Sequence, residues 1–193
     1  MLRFSQQVLV APLIEPLSLV EAKAWLRVDT PSEDDLIAAL ITAARLVIEA
    51  ETRLLLITQS WRLTLDRWPE HRSFELPLTP CQAVLGVRTV DFGSVSNVIP
   101  TSAYALATNP QSAQLHFTDV LPVDRTVCAR LEIDLQVGYG DAATSVPEPL
   151  RQAIRLLVAR WFENRGDVTA DTSGGHLSGP VAALIAPYRR LRV

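Results

Sequence analysis

The sequence predicts an α+β fold: a helical bundle formed by the N- and C-terminal helices, with a β-rich insertion between them. Three observations predict it. Capping-box starts precede apolar stripes of helical period near both ends of the chain. Between those ends, apolar and polar residues alternate with period two. The length of 193 residues suits one domain with a sizeable insertion, and such a chain buries roughly 70% of its unfolded surface without help from a metal or disulfide. The expected boundaries are 1–58 and 141–166 for the helical core, 59–140 for the insertion, and 167–193 for a mobile linker, a short helix and a basic tail.

The first helix is announced by Ser18-Leu19-Val20-Glu21. The Ser18 hydroxyl accepts from the amide of Glu21, whose carboxylate reaches back to the amide of Ser18. Ala22, Trp25 and Leu26 then share a face, giving a helix over about 19–27. Thr30-Pro31-Ser32-Glu33 reads as a second start, with Pro31 at the first helical position and Glu33, Asp34 and Asp35 complementing the positive helix end. Leu36, Ile37, Leu40, Ile41, Ala44, Val47 and Ile48 recur at helical spacing, so the longest helix covers about 33–54. Its wide apolar stripe predicts burial on more than one side.

After Thr58 the period changes. Trp61, Leu63 and Leu65 alternate with Arg62, Thr64 and Asp66, as a strand does. Further strands are expected over 84–92, 99–107 and 113–117, and the clearest runs from Arg130 to Val137. There Leu131, Ile133, Leu135 and Val137 face one way and Arg130, Glu132, Asp134 and Gln136 the other. Gly138-Tyr139-Gly140 ends it as a turn. Ser145-Val146-Pro147-Glu148 is a third capping box, and Ala153, Ile154, Leu157, Val158, Trp161 and Phe162 form the stripe of the helix it opens, near 148–164. Asp167 to Gly179 is glycine-rich and aperiodic, and Pro180 starts a last short helix.

The net charge is −3 and the pI about 5.6, which argues against a free-standing non-specific DNA binder. From Pro147 onward there are seven basic and four acidic residues, +3, and before it eleven and seventeen, −6. An acidic body with a basic tail suits docking onto another protein surface. No apolar run reaches the ~18 residues of a membrane span, and the first ten residues lack the pattern of a secretory signal.

The chain offers no catalytic constellation. His71, His116 and His176 are scattered, and no two stand at metal-ligand spacing. His116 with Asp119 could form half a dyad, but a strand-end histidine is the simpler reading. The lone lysine, Lys23, completes no phosphate loop. Cys81 and Cys128 read as small buried apolar side chains. Glu33, Asp34 and Asp35 are explained as a helix start. No enzyme, metal or cofactor is expected.

Several segments, in order, form a recognisable whole. Pro16-Leu17-Ser18-Leu19-Val20-Glu21-Ala22-Lys23-Ala24-Trp25-Leu26 precedes the acidic start Ser32-Glu33-Asp34-Asp35. Ala43-Ala44-Arg45, Glu51-Thr52-Arg53 and Leu56-Ile57-Thr58-Gln59-Ser60-Trp61 follow. Then come Val137-Gly138-Tyr139-Gly140, Leu150-Arg151-Gln152-Ala153-Ile154, Trp161-Phe162-Glu163-Asn164-Arg165 and Leu184-Ile185-Ala186-Pro187-Tyr188-Arg189. This pattern resembles the head-tail connector (adaptor) proteins of long-tailed double-stranded-DNA phages, prophages and gene transfer agents. The resemblance implies a structural virion protein at the head-tail interface, assembled in the host cytoplasm. It implies a ring, typically of twelve copies, beneath the portal protein. The ring extends the DNA channel without sequence-specific contact and docks a stopper or tail component. Relatives have shorter middles, and the role of residues 59–140 stays open. Two alternatives stand beside it: another connector part, such as a stopper or tail-completion protein, and a small enzyme or regulatory DNA-binding module.

The C-terminal end supplies the candidate portal-docking residues: apolar Val181, Leu184 and Ile185, then Tyr188, Arg189, Arg190 and Arg192. An apolar helix on a mobile arm gains affinity when it orders on a partner; the alternative is a final helix that folds back onto the bundle and ends in a frayed tail.

Overall fold

The computed structural model describes residues 3–69, 71–109, 112–118, 128–164, 177 and 179–189. The chain is α+β, with four α-helices and two antiparallel sheets among the described residues. It divides into two compact units, Met1–Leu13 with Thr58–Tyr139, and Ile14–Ile57 with Gly140–Val193. The expected scheme of a helical bundle over 1–58 and 141–166, interrupted by one insertion at 59–140, therefore needs correction. The β unit takes its first strand, β1 (Phe4–Val10), from ahead of all the helices. All seven residues of β1 are exposed, so neither face needed to be apolar and no period-two signal marked it in the sequence.

In the β unit, β2 (Gln59–Leu65), β4 (Cys81–Asp91), β5 (Ser96–Ile99) and β8 (Cys128–Val137) join β1 in a five-stranded sheet, ordered β1-β2-β8-β4-β5. Leu63 stands opposite Ile133, and Leu65 opposite Leu131. These four and Leu135 and Val137 are fully buried, so the alternation read from the sequence is the alternation of the pleat. A second sheet, ordered β3-β7-β6, is built from β3 (Ser73–Glu75), β6 (Tyr104–Asn109) and β7 (Ser112–Phe117). Ala113, Leu115 and Phe117 form its buried row, and the Trp68 ring lies 4.8 Å from that of Phe117. The single strand expected over 99–107 is two strands. Pro100 cannot donate a ladder hydrogen bond, and a 3-10 turn at Thr101–Ala103 separates β5 from β6.

The other unit contains α1 (Leu19–Leu26), α2 (Asp34–Thr52), α3 (Glu148–Glu163) and α4 (Gly179–Ile185). α3 packs against α2 and α4, and α1 touches both α2 and α3. The Ser18 capping box forms as expected, with Glu21 N donating to Ser18 Oγ at 3.2 Å and Ser18 N to Glu21 Oε2 at 3.0 Å. The other two do not form. Residues 31–33 make a 3-10 turn before α2 begins, which leaves Thr30 upstream of the helix start. Ser145 lies in a similar turn, and Pro147 directly precedes α3.

α2 buries one stripe rather than several sides. Ile37, Ile41, Ala44, Ile48 and Thr52 are buried on it, whereas Leu36 and Leu46 are exposed. The same stripe carries Arg45 and Glu49, two charges that the pattern had not placed inside. The 138–140 turn is confirmed. Gly140 has φ +158°, and a Cβ there would come within 2.6 Å of Ser145 Oγ, so only glycine fits. The proposed linker over 167–179 lies outside the described residues except for 177 and 179.

Candidate connector surfaces

Two arginines clamp the helical unit internally. Arg151, at the start of α3, donates Nε to the carbonyl of Pro16 at 3.0 Å, Nη1 to Glu148 at 2.9 Å and Nη2 to Glu21 at 2.8 Å. The Ser18 amide and then the Ser18 hydroxyl and Arg151 outweigh burial and hold the Glu21 carboxyl below its ordinary range. The chain that leads into α1 is thus tied to α3 by a buried charged residue. Arg45 makes the second clamp. Its Nε donates to Glu15 at 2.7 Å and its Nη1 to Glu49 at 2.9 Å, with Arg45 and Glu49 side chains both only 8% exposed. Glu49 also accepts from the Leu56 amide at 2.9 Å, fixing the segment that leaves α2. Burial dominates here and pushes the Glu49 carboxyl up, despite that amide and Arg45.

The β unit presents a different arrangement of charge. On the polar face of the five-stranded sheet, Arg62 grips Asp134 with two parallel hydrogen bonds of 2.7 and 3.0 Å. Arg88 bridges Glu132 at 2.7 Å and Asp134 at 3.2 Å, and Arg130 donates to Glu132 at 3.0 Å. Three arginines from three adjacent strands therefore enclose two carboxylates. Partial burial raises both carboxyls, but Arg88 at Glu132 and Arg62 at Asp134, with their neighbours, outweigh it and hold both below the usual range.

The structure separates the seven residues expected to dock a partner. Val181 and Ile185 are buried, packed with α4 onto α3. Leu184 and Tyr188 are half-buried, and Arg189 is exposed, with its guanidinium on the Glu51 carboxylate. Arg190 and Arg192 lie outside the described residues. The expectation of an arm that contributes little to its own core is corrected for α4. Its two buried apolar side chains belong to the helical unit itself.

Exposed apolar side chains gather elsewhere. The β4–β5 hairpin displays Phe92 and Val98, 81% and 75% exposed, with Val95 beside them. β1 displays Phe4, Val8, Leu9 and Val10, and α1 displays Val20 and Trp25. Exposed residues of this size mark interaction surfaces when they cluster. The sequence reading missed the hairpin because a Phe-Gly-Ser turn looks like ordinary punctuation.

Among the described residues, no three His, Cys, Asp or Glu side chains stand close enough to hold a metal ion. His71 and His116 are exposed, while Asp119 and His176 lie outside the described residues. Cys81 and Cys128 are buried and unbonded, as expected, and burial pushes the Cys81 thiol up to about 11. No described helix is long and apolar enough to cross a membrane.

Residues 16–108 match the phage gp6-like head-tail connector protein family. Solved structures extend the likeness to the whole chain. One is from the neck of an empty gene transfer agent particle computed with C6 symmetry, 28% identical, covering 98% of this chain and 97% of its own, with a TM-score of 0.82. Another, from the virion of a native gene transfer agent particle, is 29% identical over 97% of this chain and 96% of its own, with a TM-score of 0.81. A third, from a native particle neck computed with C12 symmetry, is 26% identical over 96% and 97%, with a TM-score of 0.72. No curated protein matches. Over residues 16–108, with the clamped α1–α2 entry and the strands that follow, the chain is similar to the phage gp6-like head-tail connector family, and its structural role is that of a head-tail connector.

Proposed function

We propose that this protein is the head-tail adaptor of a phage-like particle, a structural component whose copies close into a ring beneath the portal. The observation that carries this reading is the whole-chain likeness to neck proteins from particles computed with sixfold and twelvefold symmetry. Twelve copies fit both symmetries. The ring continues the DNA channel and offers its far side to a stopper or tail component. Its net negative charge disfavours a tight grip on DNA that must slide through. Its role is assembly rather than catalysis.

The C-terminal end remains the proposed portal-docking element, now restricted by burial. Val181 and Ile185 hold α4 in place. Leu184, Tyr188 and Arg189 are left to meet a partner, followed in sequence by Arg190 and Arg192. Within the helical unit, α3 packs against both α2 and α4 and so gives that element a base.

Deleting the gene from a producing strain tests the reading. Heads and tails should both accumulate and fail to join, and supplying the intact chain should restore joined particles. Joined, DNA-delivering particles in its absence would refute the adaptor role.

A further inference from the structure

A cyclic ring of more than two copies is held by head-to-tail contacts, so each copy must carry two different surfaces that fit each other. The five-stranded sheet carries such a pair at its opposite edges. One edge is β1, and the other is β5 with the hairpin that connects it to β4. With neighbouring strands roughly 4.8 Å apart, the two edges lie about 19 Å from each other.

Edge strands of proteins that stay single are guarded by charges, prolines or bulges. Neither edge here is guarded by charge; β1 has an irregularity between Val8 and Val10 and Pro100 follows β5, which disfavours sheet continuation but leaves the apolar side chains exposed. Residues 4–10 read FSQQVLV and residues 92–99 read FGSVSNVI, without one ionisable side chain. Both expose large apolar groups instead: Phe4 and Val8 on β1, and Phe92, Val95 and Val98 on the hairpin side.

The register puts the two patches at the same end of the sheet. Phe4 stands opposite Leu65, Leu65 opposite Leu131, Leu131 opposite Thr89 and Thr89 opposite Asn97. The hairpin tip lies just beyond that row, as does Arg3 at the start of β1. The charge flanking the tip is Asp91; the β1 end carries Arg3, whose amide donates to Asp66 Oδ1 at 3.3 Å, so the two patches match in level and apolar character, with Arg3 the cation available to Asp91. The tip is also a built feature. Asp91 N donates to Val95 O at 3.0 Å, Val95 N donates to Asp91 Oδ1 at 2.8 Å, and Ser94 closes the turn in the left-handed region at φ +65°. A pre-organised turn that holds an aromatic ring in water loses little entropy on docking.

We propose that the β4–β5 hairpin tip of one copy packs on the outer edge of β1 in the next copy, and that this is a contact closing the connector ring. The proposal rests on the ring reading above. It requires apolar packing at the edges, with Asp91 near Arg3 of the neighbour, and no continuous hydrogen-bonded sheet.

Cysteine cross-linking in assembled particles tests it. Three full-length variants are needed: Phe4→Cys, Phe92→Cys and the double variant, each incorporated into necks and exposed to a mild oxidant. The native cysteines are buried and do not interfere. The double variant should give a non-reducing ladder from dimer up to the full ring, while each single variant stays monomeric. Rings visible in micrographs of the double variant, with no ladder, would overturn this contact and leave the adaptor reading standing. Dimers from Phe92→Cys alone would overturn the head-to-tail geometry. Loss of rings altogether in the unmodified chain would sink both. Phe92→Asp provides a second measurement. It should keep the parental melting temperature and lose ring closure, and unimpaired rings would contradict the proposal.

Discussion

The Arg45 clamp and the sheet-face ladder use the same residue types and reach opposite electrostatic ends. In the clamp one arginine serves two carboxylates, and the Glu49 side chain is 8% exposed; its carboxyl is pushed up. In the ladder three arginines serve two carboxylates that are 12% and 15% exposed, and the arginine side chains remain 28–51% exposed; both carboxyls are pulled down. The ratio of cations to anions and the access of water decide the sign, because burial penalises the charged form and each added arginine favours it. The consequence is a division of labour. The clamp is a structural fastening that fixes the exit from α2. The ladder is a paired network on the polar face of the sheet, with its arginines partly hydrated.

The difference can be broken most sharply at Arg45. Arg45→Ala leaves Glu49 buried beside Glu15 without its cation, and removing one partner of a buried pair costs about 3–5 kcal/mol. Thermal or denaturant melting should show that loss, and a cost below 1 kcal/mol would show that water reaches the site. The ladder should respond to acid. Carboxyls held below their ordinary values of 4.5 and 3.8 contribute stability that is full above those values and is lost as pH falls through the lowered folded ones. Melting temperatures between pH 6 and pH 2 should therefore fall less steeply for a Glu132→Gln/Asp134→Asn double variant than for the parent. Identical slopes would remove the ladder from the account.

Smaller effects sharpen the comparison. Arg62→Ala takes one arginine from the ladder but leaves Asp134 bonded to Arg88, so the cost should be about 1 kcal/mol or less. Arg189→Ala breaks an exposed pair with Glu51, and its effect on melting should be within about 0.5 kcal/mol. The order Arg45, Arg62, Arg189 follows burial. Any reversal in measured stabilities would point to partners that these pairs do not include.

What the sequence made legible was local. The Ser18 capping box needs only four residues to be read. The β8 alternation needs only a pleat with one buried face. The connector pattern was visible because it is an ordered set of such local signals. What escaped depended on tertiary context. β1 is an exposed strand at a sheet edge, so its side chains carry no burial rhythm. Arg45, Glu49 and Arg151 are charged residues made tolerable inside by partners up to 135 positions away, and residue type alone places them outside. Thr30 and Ser145 had the right neighbours for caps, but intervening turns moved the helix starts past them. Val181 and Ile185 were apolar enough to read as docking residues, and only the packing of α4 on α3 shows whose core they fill. Ile185→Ala should accordingly cost about 2–5 kcal/mol, seen as a lower melting temperature, whereas a free arm would melt like the parent.

The central claim is that copies of this chain form the ring between portal and tail. Electron cryomicroscopy of the particle neck tests it most directly. The expected result is a closed ring of this fold seated under the portal, with the β4–β5 hairpin of each copy against β1 of the next. A neck map whose density is fully accounted for by other chains, with this fold absent from the portal–tail junction, would contradict it.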